Sequence, residues 1–152
     1  MAKRKIIDEV PYSMLKLIMR YLELDRKTQY YGTDKPIYYS EIHMISAIAQ
    51  KPDINVKGLA EEFKITSASV SEMLTKLNKK GMVNKAVDKN HPVSLKLSLT
   101  EKGKRAHEEH MRYHSKLEQM VIEELSDASD EQIQTIVDFL NHMRNRLDEF
   151  EI

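Results

Sequence analysis

The stretch LAEEFKITSASVSEMLTKLNKKGMV, residues 59–83, decides the fold. Its apolar residues form two short helical sets, Leu59, Ala60 and Phe63, then Val70, Met73, Leu74 and Leu77. Offsets of three and four put each set on one side of a helix. Lys64 and Ile65 leave room only for a tight connection, and Thr66 or Ser67 offers a hydroxyl to cap the second helix. Gly81 follows the last apolar position, where a helix ends in a left-handed residue. The second helix therefore docks by its apolar side and turns Ser67, Ala68, Ser69, Ser71, Glu72 and Thr75 outward.

Small polar residues opposite a docking face suit a helix that enters a DNA major groove, which is about 12 Å wide. Hydroxyls bond base edges or phosphates, Ala68 can touch a thymine methyl, and Glu72 can accept from cytosine. Lys76, Lys79, Lys80, Lys85, Lys89 and Lys96 would neutralise phosphates, adding affinity and salt dependence but little sequence information.

Upstream, Val10, Met14, Leu17, Ile18, Tyr21 and Leu24 predict a first helix over about Asp8–Tyr31, broken by Gly32, Asp34 and Pro36. Ser40 is the expected cap of a second helix carrying Ile42, Ile45, Ala47 and Ile48, and Asn55 of the third. Downstream the period changes to two. Met82–Ala86 and Val93–Leu99 predict a hairpin around Asp88-Lys89-Asn90-His91-Pro92. Thr100 should cap a long helix to about Leu125, and Ser129 with Gln132 forms a capping box for a last helix through Leu147. The expected class is mainly α with a small β-hairpin wing.

At 152 residues the chain has room for one domain with a real core. No apolar run approaches the roughly 20 residues that cross a bilayer, so no membrane partner is expected. The start, MAKRKIIDEV, turns acidic before any signal-like stretch, which predicts a cytoplasmic chain. Cysteine is absent, excluding disulfides, thiolate metal sites and cysteine nucleophiles. The formal net charge is zero, but it hides a polarity. Residues 64–104 hold nine Lys and three acids, or +6, whereas residues 108–152 hold four basic and twelve acidic residues, or −8. A positive face can thus meet phosphates while the acidic remainder faces elsewhere.

Four helices, a hairpin and two long helices in this order resemble the MarR family over nearly the whole chain. The resemblance rests on Leu59-Ala60, Phe63, Ile65, Ser67, Val70, Leu74, Leu77, Gly81 and Met82-Val83, followed by the hairpin and Leu99-Thr100-Glu101-Lys102-Gly103. It implies a winged helix-turn-helix over about residues 40–100 and dimerisation helices over about 8–31 and 101–149, within a single domain 1–152. It also implies a homodimer whose recognition helices lie one DNA turn apart, about 34 Å, on a pseudo-palindrome. Many relatives carry Arg at the wing tip. This chain has Lys89-Asn90-His91-Pro92, and lysine lacks the planar fork suited to minor-groove contacts.

Three of the six histidines, His107, His110 and His114, share one helical stripe. His110 and His114, one turn apart, are the tighter pair for a shared ion. His43 could supply a third ligand, and Asp25 or Glu23 a carboxylate, a set suited to Zn(II), with Mn, Fe, Co or Ni as other candidates. The arrangement resembles the zinc-sensing branch of the MarR family, which implies Asp25, His43, His110 and His114 as the metal site. A second site of that branch uses a cysteine, and Ile42 stands where it has an acid, so only the primary site carries over.

A zinc hydrolase is a poor fit. His110 is followed by Met111, and His107-Glu108-Glu109-His110 has the wrong spacing for HExxH. With four glycines, phosphate loops and nucleophile elbows are missing too. The alternative to metal is a small aromatic or lipophilic effector between helices one, two and five, lined by Tyr12, Met14, Tyr21, Tyr30, Tyr31, Tyr38 and Tyr39.

Overall fold

The computed structural model describes residues 2–87 and 95–150. The elements are α1 (Ala2–Asp25), α2 (Tyr39–Gln50), α3 (Val56–Phe63), α4 (Ser67–Lys79), β1 (Val83–Val87), β2 (Leu95–Leu99), α5 (Glu101–Glu124) and α6 (Asp130–Asp148). The expected class stands: helices with one small antiparallel hairpin. The wing tip, Asp88 to Pro92, lies outside the described residues, and with it Lys89.

The chain divides into two compact units, Met1–Met111 and Arg112–Ile152. The first has its core in Ile37, Ile42, Met44, Ile45 and Ile48, closed by Leu59, Val70, Leu74, Leu77, Met82, Val83 and Leu97. Local chemistry sets its corners. Asn55 accepts from the Gly58 amide at 3.0 Å and Thr66 from the Ser69 amide at 3.1 Å, each satisfying an N–H that its helix leaves open. Between them Lys64 takes a left-handed conformation, φ 52°, and the Ile65 amide closes back on the Ala60 carbonyl. Gly81, φ 72°, turns the chain out of α4 into β1. Val83 pairs with Leu99 and Lys85 with Leu97. Since alternate strand residues share a face, Val83 and Leu97 reach the core together.

Helix α5 starts at the same corner. Thr100 accepts from the Gly103 amide at 3.0 Å, and its own amide donates to the Met82 carbonyl at 3.0 Å. A side chain at Gly103 would run into that carbonyl oxygen, so the close approach of α5 to the hairpin needs glycine.

Two helix starts and one end differ from expectation. α1 begins at Ala2, ahead of the expected Asp8, and stops at Asp25, six residues short of Tyr31. Gln29 and Ile37 form an antiparallel bridge, and Tyr31 and Gly32 between them are left-handed, φ 44° and 67°. Burying Ile37 decides this loop, a long-range gain invisible to periodicity. α2 is capped at Tyr38, not Ser40, because the Glu41 carboxylate accepts from the Tyr38 amide at 2.9 Å.

In the second unit, α6 opens on the expected capping box: the Ser129 hydroxyl accepts from the Gln132 amide, and the Gln132 side chain accepts from the Ser129 amide. No α6 residue is buried, and Ile136, Val137, Phe139, Leu140 and Leu147 are exposed. In the first unit, α1 likewise exposes Ile6, Ile7, Leu15, Leu17 and Met19. No helix of the described residues is long and apolar enough to cross a membrane.

Candidate metal centre and nucleic-acid interface

Asp25 closes α1, His43 sits one turn into α2, and His110 lies on the buried stripe of α5. One ligand atom from each lies within 4.8 Å of the others. Asp25 and His110 are only 6% and 2% exposed, which few ionisable groups tolerate without a partner. His43 Nε2 is 4.0 Å from an Asp25 oxygen, and the His43 and His110 rings stand perpendicular with centroids 5.1 Å apart. Tyr39 packs edge-on against His43 at 4.4 Å and Tyr31 against His110 at 5.6 Å, giving each imidazole an aromatic neighbour.

The donor set fits a divalent transition metal. Zinc takes imidazole nitrogen and carboxylate oxygen at about 2.0–2.2 Å, so tetrahedral ligands stand roughly 3.3–3.5 Å apart. Three groups already this close need to converge by about an ångström. Ser46 occupies the other side of His110: its Oγ is 3.1 Å from His110 Nδ1 and 3.1 Å from His107 Nδ1. With Nδ1 engaged, Nε2 is the lone pair that His110 can lend to an ion. Burial holds His107 below the ordinary imidazole value, offset in part by Glu108.

Glu23 is exposed, and its carboxylate bonds Arg20 at 2.7 Å, which lowers its pKa. His114 lies one turn along α5, in the second unit, where its ring meets Tyr113 at 5.8 Å; among the described residues the close donor group is Asp25, His43 and His110. Sequence reasoning missed Ser46. Its one signal was a small polar residue inside the buried run Met44–Ile48. Of the tyrosines offered for an organic effector, Tyr31 packs on His110 and Tyr39 on His43, whereas Tyr12, Tyr21, Tyr30 and Tyr38 are exposed.

On α4, Val70, Leu74 and Leu77 are buried, whereas Ser67, Ala68, Ser69, Ser71, Glu72, Thr75, Lys76 and Lys79 are exposed. Lys76 bonds Glu72 at 2.7 Å one turn away, lowering the Glu72 pKa and raising its own. Lys85 reaches from β1 to the Thr75 hydroxyl at 2.8 Å, joining hairpin to helix, and Lys96 is exposed on β2. Lys80 differs. Its ammonium donates to the Pro36 carbonyl at 2.8 Å and the Glu41 carboxylate at 2.7 Å, and lies over the Tyr38 ring. It ties α4 to the start of α2, a structural task in place of phosphate contact.

Residues 37–90 match the sequence model of the MarR family. Over 111 residues the chain is 30% identical to the HTH-type transcriptional regulator YhjH of Bacillus subtilis (strain 168), an alignment covering 73% of this chain and 63% of that relative, under two thirds of its length. Among solved structures, Streptococcus pneumoniae FabT in complex with DNA superposes with a TM-score of 0.69 at 25% identity, covering 97% of this chain and 99% of that one. Lactococcus lactis ZitR, a zinc-responsive MarR family member, gives 0.74 at 22% identity, with 93% and 99% covered. At that identity the likeness to ZitR is one of fold.

Proposed function

We propose, from the premise that this chain belongs to the MarR family of winged helix-turn-helix proteins, that it is a homodimeric, DNA-binding transcriptional regulator that responds to zinc. The observation that carries the zinc reading is the convergence of Asp25, His43 and His110 from three different helices. Bound zinc would supply a cross-link between α1, α2 and α5. An ion changes DNA affinity only through its preference for one arrangement of these helices over another, so coupling requires ligands from elements that can move apart. The zinc-responsive character of ZitR, which shares the fold, supports the same reading.

DNA contact is assigned to the exposed side of α4. Ser67, Ala68, Ser69, Ser71, Glu72 and Thr75 face base edges, and Lys76, Lys79, Lys85, Lys89 and Lys96 face phosphates. FabT, which was solved with DNA, supports this assignment. Affinity for a duplex should fall linearly with the logarithm of salt concentration, and Lys79→Ala or Lys96→Ala should each flatten that slope by about one. Fluorescence anisotropy across a salt series measures it; binding indifferent to salt removes the phosphate contacts from the reading.

Dimerisation is assigned to α1, α5 and α6, whose exposed apolar residues would otherwise meet water. Sedimentation should find two chains per particle, with a pseudo-palindrome as the preferred duplex. The double variant Val137→Asp, Leu140→Asp should sediment as a monomer and bind the operator on the order of a hundredfold more weakly, since one half-site then acts alone. A dimer that survives both aspartates moves the interface off α6.

The proposal as a whole is tested by titrating zinc into the untagged, chelator-treated protein while following its binding to duplex DNA. Zinc binding without any change in DNA affinity, or no zinc binding, overturns the sensing role.

A further inference from the structure

We propose that Ser46 is a positioning residue of the Asp25, His43 and His110 centre, locking the His110 ring by its Nδ1 and joining it to His107 in one directed hydrogen-bond chain; this rests on the metal reading of that centre. Ser46 is buried on α2, and its Oγ lies 3.1 Å from Nδ1 of both histidines of α5. A hydroxyl has one proton to give and two lone pairs to accept with, so where it gives that proton to one ring it accepts from the other. The chain therefore has two possible directions.

Only one is compatible with His110 as a ligand. A neutral His110 that lends Nε2 to an ion carries its proton on Nδ1 and donates it to Ser46. The Ser46 proton then points to His107 Nδ1, and the His107 proton is left on Nε2. In the reverse direction His110 is protonated on Nε2, and its lone pair is lost to the metal. Ser46 thus stabilises the binding tautomer by accepting its Nδ1 proton. The outer end of the chain lies at the wing: His107 lines a cavity of about 460 Å³ together with Ile48, Lys96, Leu97 and Lys104. Occupancy of the centre consequently sets the hydrogen-bond direction at a wall shared with β2, the strand that carries Lys96.

The test has two arms. Zinc affinity, read by competition with a chromophoric chelator, should fall about 10–100-fold in Ser46→Ala, as for other outer partners of metal-bound histidines. Ser46→Thr, which keeps the hydroxyl, should recover most of that loss. Independently, long-range proton–nitrogen NMR of the imidazoles in the zinc-loaded wild type should show His110 protonated on Nδ1 and His107 on Nε2. This second arm needs no variant, so it decides the matter even where Ser46→Ala folds poorly. Wild-type zinc binding with a His107 proton on Nδ1, or a folded Ser46→Ala with unchanged zinc affinity, overturns the inference and leaves the metal centre standing. Failure of wild type to bind zinc overturns both.

Discussion

His110→Ala should weaken zinc binding by a hundredfold or more, about the upper range seen when outer partners are removed and here applied to a ligand itself. His110 is the most buried of the three donors, and among the three it is the one that α5 contributes. Without it, the close group is reduced to Asp25 and His43, an open two-donor site on α1 and α2. The zinc-dependent part of DNA affinity should vanish, whereas the zinc-free affinity, proposed above to rest on α4 and the lysines, should stay within a fewfold of wild type. Asp25→Asn and His43→Ala should behave alike, and His142→Ala, an exposed histidine of α6, serves as the control that leaves zinc binding untouched. His114→Ala asks whether the remaining position predicted by helical spacing is filled as the sequence suggests. Equal zinc affinity in His110→Ala and wild type would rule the centre out.

Gly103→Ala should destabilise the fold by roughly 2–3 kcal/mol, the upper part of the range of about 1–3 kcal/mol for forcing an extra carbon into a packed site. For a chain of this size that lowers the melting temperature by about 5–10 °C. The obstacle is the Met82 carbonyl, which is backbone and already accepts from the Thr100 amide, so it cannot swing aside as a side chain would. Gly81→Ala is the informative comparison. Nothing stands near its missing Cβ, and only its left-handed φ of 72° resists substitution. That conformation costs an alanine about 1–2 kcal/mol, so Gly81→Ala should melt measurably above Gly103→Ala. If the two melt together, close packing of α5 on the hairpin is not what requires Gly103.

The helix-turn-helix and wing were legible because their determinants are local. Asn55, Thr66, Thr100 and Ser129 each cap the helix that follows, within three residues of the amide they satisfy. The alternation of Leu95, Leu97 and Leu99 marks a strand by its own period. The spacing of His110 and the pairing of His43 with an acid were readable as candidates; residue chemistry and spacing alone left Asp25 and Glu23 open, and only the family resemblance favoured Asp25. The fold separates them by burial: one is enclosed beside His43, the other exposed and paired with Arg20.

By itself, then, the order of residues determined the helices, the turn, the hairpin and the outward face of α4, since capping and periodicity act over a few positions. Tertiary structure alone decided where α1 stops, what Lys80 holds, why Gly103 has no side chain, and which polar group backs His110. Each of those depends on a partner beyond the next turn, from Gln29 with Ile37 across a loop to Ser46 with His110, 64 positions apart. Their energies arise only when the chain closes on itself, and no local pattern encodes them.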